Sequence, residues 1–529
     1  MIGKDWAQVT SVGYYYSFGY SFLLLPCLAA VPDPVTAYRL GTACNALFLC
    51  ISLLALYRFM KKMCPETDDK KRAFFCFAAI CCPGALFYMQ MTLPEVLLIG
   101  LLLLTAFSLF RCLDKPGILN VVILAVCLVY MYFVHMRTMG FFVAACITLV
   151  ADCCGDKRKR KLLLFFFMTI ILLFLAGYMV KNALTNDAYR YASEAVLAVN
   201  DYSGQVEKIK GLLNAEGLER LLISVMGKLF YLGCASLGLF FQGMWFLWKK
   251  TKKYCFALSK HNVAAEEGVC FYLFAGILFQ VGISAIFTVS CERIDYILYG
   301  RYNEIFLPIV IALGMTEFMV SHRVFRSWLV YAAVQGAAAF CLAVFIGSRE
   351  ITQVYGYFIT GISYALDGSG FGGPRTIWAA YAVSCAVAMA AWLIIGFWEK
   401  KGNGKAYYAA AGMLAAVWIG TALWAASLYI YPHNMENRED IRLCEQLSWL
   451  NEEGRKLCFL NSPGVTYVDL LQYMLRDISI QVLDGENCMK ELTSDMAVLI
   501  YRDNQEVAAL SEVYNVRVET SHFILLYNS

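Results

Sequence analysis

Apolar residues run through this chain in long blocks separated by short polar connectors. The blocks at 37–59, 73–92, 94–111, 117–134, 138–152, 162–180, 220–247, 268–289, 304–320, 328–347, 377–397 and 406–431 are each near the ~20 residues that a helix needs to cross a bilayer. They predict about 12 transmembrane helices. After residue 432 the pattern changes. KLCFL, ISIQVL, MAVLIY and FILLY are short strand-like runs, and VTYVDLLQYML and NQEVAALSEVY between them carry helical spacing. At the other end, YSFLLLPCLAAV is short and broken by Pro26, which suits a helix lying at the interface. The expected architecture is an all-α polytopic membrane protein with juxtamembrane helices and a small C-terminal extracytoplasmic α/β domain. Its parts are a first loop over 1–36, a membrane domain over 37–431 and the terminal domain over 432–529.

Composition agrees. The 529 residues are 60% hydrophobic and 16% charged, with mean hydropathy +0.58, more apolar surface than a soluble domain can bury. The net charge of +4 lies in connectors and implies no nucleic-acid partner. Most of the 21 cysteines fall inside apolar blocks, where Cys behaves as a small hydrophobe. Cys81-Cys82 and Cys153-Cys154 lack metal-site spacing, and Cys444, Cys458 and Cys488 are an odd trio. The sequence shows no metal motif and no Gly-rich phosphate loop.

Charge sets the expected orientation. Basic clusters occur at Lys61-Lys62 with Lys70-Lys71-Arg72, at Lys157–Lys161, at Lys249-Lys250 with Lys252-Lys253, at Arg323 with Arg326, and at Lys400-Lys401 with Lys405. Each follows every second block, so all fall on one side, the cytoplasm by the positive-inside rule. Residues 1–36, 181–219, 348–376 and the C-terminal tail are then expected outside, with 187–217 on the membrane surface. Met1–Val31 lacks the charged start and apolar core of a signal peptide. An even number of spans with an outside C-terminus needs an outside N-terminus, so a first transmembrane helix is expected to be missing. The outer connectors TLPEVLL, FVHMRTMG and DYILYGRYNE carry the unusual ionisable residues, which are costly at helix ends unless they act.

GYYYSFGYSFLLLP followed by DPVTAYRLGTACNALFLCISLLALY resembles the start of bacterial GT-C glycosyltransferases, the type of the protein-mannosyl and aminoarabinose transferases. VHMRTMG, MGKLFYLG and YGRYNEIFLP are similar to later segments of that group. The resemblance implies an enzyme of the bacterial inner membrane. It would take a polyprenyl-phosphate sugar donor and pass the sugar to a cell-envelope glycan, lipid or protein on the outer face. The acidic pair that serves as base in that pattern lies ahead of residue 1 here, which leaves Asp5 as the first-loop carboxylate and implies that the chain as written is inactive unless Asp5 substitutes.

Such a transfer needs a base and cations for the leaving phosphate. Asp5 and Glu95 are the acidic candidates; Glu95 reads equally as a helix cap, as an acceptor-orienting group or as a ligand for a divalent metal. His135, Arg137, Lys228, Arg301, Tyr302 and Glu304 are the candidate phosphate-binding set. Arg137 reads alternatively as snorkelling to headgroups. Arg301 and Glu304 share a helical face at i, i+3 and read alternatively as an anchoring ion pair, which Arg293 and Asp295 extend. Lys228, deep in its span, reads alternatively as a snorkelling lysine. Arg190, Tyr191, Arg349 and Arg375 read as solvated loop residues, and Tyr14–Tyr16 and Tyr20 as an interfacial belt. Rival functions are a lipid-linked-sugar flippase, for which internal repeats are expected and not found, and a non-enzymatic glycan-binding protein.

Overall fold

The computed structural model describes residues 5–13, 17–153, 157–194, 197, 209–212, 214–258, 264–320, 324–349, 354–368, 370–399, 405–461, 468–483 and 491–528. Tyr14–Tyr16, Cys154, Arg323, Lys400, Lys401, Cys488 and, within the 187–217 stretch, residues 195, 196, 198–208 and 213 lie outside them. The chain is a helical membrane protein with a small terminal sheet domain. Among the described residues seven helices are long and apolar enough to cross a bilayer, eight if one sharply bent pair is a single span.

Local chemistry sets the ends of the long helices. Pro34–Met63 starts at Pro34, and the Asp33 carboxylate accepts from the Thr36 amide at 2.7 Å. It ends at Lys61-Lys62, on the basic face. Glu95–Asp114 runs the same way, since Lys62 sits over the Phe110 ring near its far end, 5.4 Å from the centroid. Glu95 therefore lies on the face opposite the basic clusters.

Several expected spans are corrected. The block 73–92 is two short helices, Asp69–Ile80 and Pro83–Tyr88, broken where Pro83 cannot continue the first. Met139–Asp152 and Leu307–Val320 have 14 residues each, about 21 Å, short of a bilayer core. The block 220–247 is two helices, Ala215–Ala235 and Leu239–Leu258, bent by 106°. Leu237 at φ 53 and Gly238 at φ 88 make the corner. The Gly238 amide donates back to the Gly233 carbonyl at 2.8 Å, and the Ser236 hydroxyl accepts the Phe240 amide at 2.9 Å to start the second helix. The corner is as apolar as the helices it joins, so hydropathy passes over it.

Ala406–Ala425 continues through one wide turn, Ala426–Ile430, into Tyr431–Glu436 and so into the terminal domain. That domain is one five-stranded sheet, with β1 Leu457–Leu460, β2 Ile480–Leu483, β3 Ala497–Tyr501, β4 Val516–Glu519 and β5 Phe523–Tyr527. The order is β2-β1-β3-β5-β4. β1 is parallel to β2 and β3, and β5 is antiparallel to β3 and β4. The four strand-like runs are β1, β2, β3 and β5; β4 was not expected, because VRVE is a half-exposed edge. Leu443, Leu471 and Val9 cover one face of the sheet, and Leu510 and Tyr514 the other.

The domain docks on the face that carries Glu95. Tyr473 donates to the Pro34 carbonyl at 3.0 Å, and Arg476 to the Val31 carbonyl at 2.6 Å. The Ala7–Val12 helix is inserted beside β2, where Gln8 accepts the Val482 amide at 2.6 Å.

Candidate functional site

Glu95 opens the Glu95–Asp114 helix directly after Pro94 and is buried. A carboxylate there gains from the helix N-terminus but still needs partners out of water. It has two. Oε1 accepts from Arg137 Nη2 at 2.9 Å and from Arg301 Nε at 2.6 Å. Arg137 stands on the tight turn Met136–Thr138 between the Ile118–Val134 and Met139–Asp152 helices. Arg301 follows the short helix Ile294–Leu298, where its own amide and that of Gly300 donate to the Phe358 carbonyl at 3.2 and 2.9 Å. Three outer connectors thus converge on one carboxylate.

Aromatic rings wall the group. The Arg137 guanidinium lies 4.7 Å from the Tyr302 ring centroid, and the His135 and Tyr302 rings are 5.6 Å apart. Arg301 lies over Phe358 at 5.6 Å. Two guanidiniums face one carboxylate, so positive charge is in excess. Nε and Nη1 of Arg137 and Oε2 of Glu95 are buried without a hydrogen-bond partner among the described residues. Buried guanidinium donors left unpaired are costly, and an anion with several oxygens satisfies them.

The expected Arg301–Glu304 pair does not form, because Arg301 turns to Glu95. Glu304 instead accepts from the Tyr231 hydroxyl and from Thr360 at 3.4 Å, while Tyr231 accepts the Gly361 amide at 2.7 Å. Gly84 packs so closely on the Glu304 carboxylate that any Cβ there collides with it. Glu304 thus ties the Leu307–Val320 helix entrance to the 360–365 turn.

Lys228 does not join the arginines. Its ammonium is fully buried and donates to Ser224 Oγ and Thr288 Oγ1, both at 2.8 Å, and to the Tyr296 carbonyl at 3.0 Å. Asp5 is also elsewhere. It caps the Ala7 amide at 3.2 Å and pairs with Arg190, which is an exposed loop residue as expected. Arg349, which pairs with Glu219 at 3.7 Å, and Arg375 are exposed as well. Arg293 forms an ion pair with buried Asp295 and stacks 4.0 Å from the Tyr296 centroid. Tyr20 is buried and donates to Asn45 at 3.0 Å, so it is no belt residue. Among the described residues no group of three His, Cys, Asp or Glu side chains gathers to hold a metal.

Beside the arginine group runs a groove of about 420 Å³ between the Ile118–Val134 and Lys157–Ala188 helices. Phe18, Phe133, Met136, Phe174, Tyr178 and Lys181 line it, and Met136 separates it from the Arg137 turn. Sequence reasoning missed Tyr231, Thr360 and Phe358 as parts of this region. The aromatic run YGYF at 355–358 was the available signal.

No family model matches the chain, and no curated protein matches it. Two solved structures resemble it across 99% of its length and 90% of theirs, at 11% identity. They are ArnT from Cupriavidus metallidurans bound to undecaprenyl phosphate, with a TM-score of 0.47, and the same protein in the apo state, with 0.46. Similarity at that level leaves the function to the geometry of the site.

Proposed function

We propose that this chain is a membrane glycosyltransferase that binds a polyprenyl-phosphate sugar at Arg137 and Arg301. On this reading it transfers the sugar to a cell-envelope acceptor on the extracytoplasmic face of a bacterial inner membrane. The observation that carries it is the buried Glu95–Arg137–Arg301 group, with excess positive charge and two unpaired Arg137 donors. A phosphate that gains charge as its bond to the sugar breaks is stabilised by such preorganised donors. The aromatic groove next to Met136 suits the prenyl chain, since its lining is almost wholly apolar.

In the transfer, an acceptor oxygen forms a bond to the anomeric carbon. The bond from that carbon to the phosphate oxygen breaks, and its electron pair leaves with polyprenyl phosphate. The acceptor proton passes to a base. Glu95 is held by two guanidiniums through one oxygen, which suits it to orient them rather than to take a proton. Tyr302 and His135 position Arg137 from its other side. Asp5 stands apart in the first loop, capping Ala7 and paired with Arg190, and is not assigned as that base. Glu304 and Lys228 support the segments that hold Arg301, through Tyr231 and Tyr296 respectively.

The test uses the full chain in lipid nanodiscs with labelled polyprenyl phosphate and a labelled polyprenyl-phosphate sugar. Arg137→Ala and Arg301→Ala are each expected to weaken phosphate binding about tenfold or more, the loss of a charge-assisted bond of ~1.5–3 kcal/mol. Unchanged binding in both variants sinks the assignment. Asp5→Asn is expected to keep both binding and transfer; loss of transfer with intact binding brings Asp5 into the chemistry.

A further inference from the structure

The corner at Leu237–Gly238 opens a second cavity, on the basic face and remote from the arginine group. Two helices that diverge by 106° cannot both fill the space at their vertex. Five other helices close around it: Asp69–Ile80, Leu307–Val320, Val324–Gly347, Pro374–Glu399 and Ala406–Ala425. The lining is aromatic and aliphatic, with Phe75, Trp328, Tyr331, Trp392, Tyr407 and Leu414 as its larger members. The slot is narrow, about 60 Å³, and takes the first methylene groups of one chain. Its polar lining atoms are few, so water gains nothing there.

Its mouth is positively charged. Lys71 sits over the ring of Tyr407, which lines the slot, 4.9 Å from the centroid. Arg326 precedes the lining pair Ser327-Trp328, and Lys405 precedes Ala406-Tyr407. Among the described acidic side chains nearby, Asp69 pairs with Arg72, Asp68 caps the Lys70 and Lys71 amides, and Glu317 pairs with Lys249 at 2.6 Å. An apolar slot under a cationic rim at a membrane surface is complementary to one kind of molecule, an anionic phospholipid.

We propose that this slot is a binding site for an anionic phospholipid of the leaflet on the basic face. The phosphate lies among Lys71, Arg326 and Lys405, and the first methylenes of one acyl chain fill the space at the helix corner. The site is independent of donor binding and serves to keep the bent pair packed.

The experiment reconstitutes the full chain in nanodiscs containing a phosphatidylglycerol that carries a diazirine near the head of one acyl chain. Cross-linked peptides are then mapped. Labelling is expected on peptides with Trp328, Trp392 or Tyr407, and competition by unlabelled phosphatidylglycerol is expected to exceed that by phosphatidylcholine about fivefold, the preference that roughly one interfacial cation gives. Lys71→Gln is expected to remove that preference. Ala411→Phe, which fills the slot, is expected to lower labelling about tenfold, what the loss of roughly two buried methylenes amounts to. Labelling confined to the Phe133–Phe174 groove, or equal competition by both lipids in the unaltered protein, overturns the proposal. The mapping on the unaltered protein decides the matter even if both variants fail to fold.

Discussion

Lys228 shows what one buried charge does without a carboxylate partner. Its ammonium gathers two hydroxyls and a backbone carbonyl from three elements, the Ala215–Ala235 helix, the end of Ala265–Phe287 and the Ile294–Leu298 turn. That turn leads five residues later into Arg301. Lys228 is thus a positioning residue for the arginine group. Lys228→Met leaves the Tyr296 carbonyl without its donor, at a cost of about 1–3 kcal/mol. The expected result is a lower unfolding temperature together with weaker polyprenyl-phosphate binding. A loss of stability with unimpaired binding in the remaining folded protein refutes the positioning role.

At the scale of elements, close helix crossings decide where the connectors end up. Gly243 on Leu239–Leu258 meets the Val310 backbone, and Gly314 on Leu307–Val320 meets the Leu239 carbonyl, each with no space for a Cβ. Lys249 and Glu317 then pair at 2.6 Å at the basic end of the same crossing. Gly243→Val is expected to force the helices apart and cost roughly 1–3 kcal/mol, the usual penalty of overpacking. Thermal unfolding in detergent checks it, and an unchanged midpoint contradicts the crossing. Because Glu304 stands in the turn that leads into Leu307–Val320, the same variant is expected to slow transfer.

Across the whole molecule, the terminal domain and the first loop meet at one acid, Asp469. Asp469 stays exposed as a residue, but its carboxylate lies where a Cβ on Gly13 would come within 2.9 Å of its Oδ2, so the loop packs against the charged end. Partial desolvation of that end by the loop pushes the carboxyl up to about 6. The folded state therefore binds the proton more tightly than the unfolded chain. The resulting stabilisation is complete below about pH 4, the unfolded value, and is lost as pH rises through about 6. Amide exchange in the Ala7–Val12 helix is expected to be slower at pH 5 than at pH 7.5, after correction for intrinsic rates. Asp469→Asn is expected to abolish the difference; a difference that survives in the variant points to another group.

The sequence by itself determined the membrane class, the face on which the charged connectors gather and four strands of the terminal sheet. Long apolar blocks, one-sided lysines and alternating short runs are local patterns, and burial against lipid or a sheet is their direct consequence. It also singled out Glu95, Arg137 and Arg301 as residues out of place in an apolar chain. Only the tertiary structure decided their partners. Glu95 meets Arg137 from 42 positions away and Arg301 from 206, separations that no helical spacing encodes. Local periodicity favoured Glu304 for Arg301, and packing overrode it, because Gly84, Tyr231 and Thr360 enclose Glu304 first. The corner at Leu237–Gly238 escaped for a related reason. Hydropathy records what a residue is, whereas a bend made by apolar residues in left-handed conformation is a property of the backbone and of the helices that close around it.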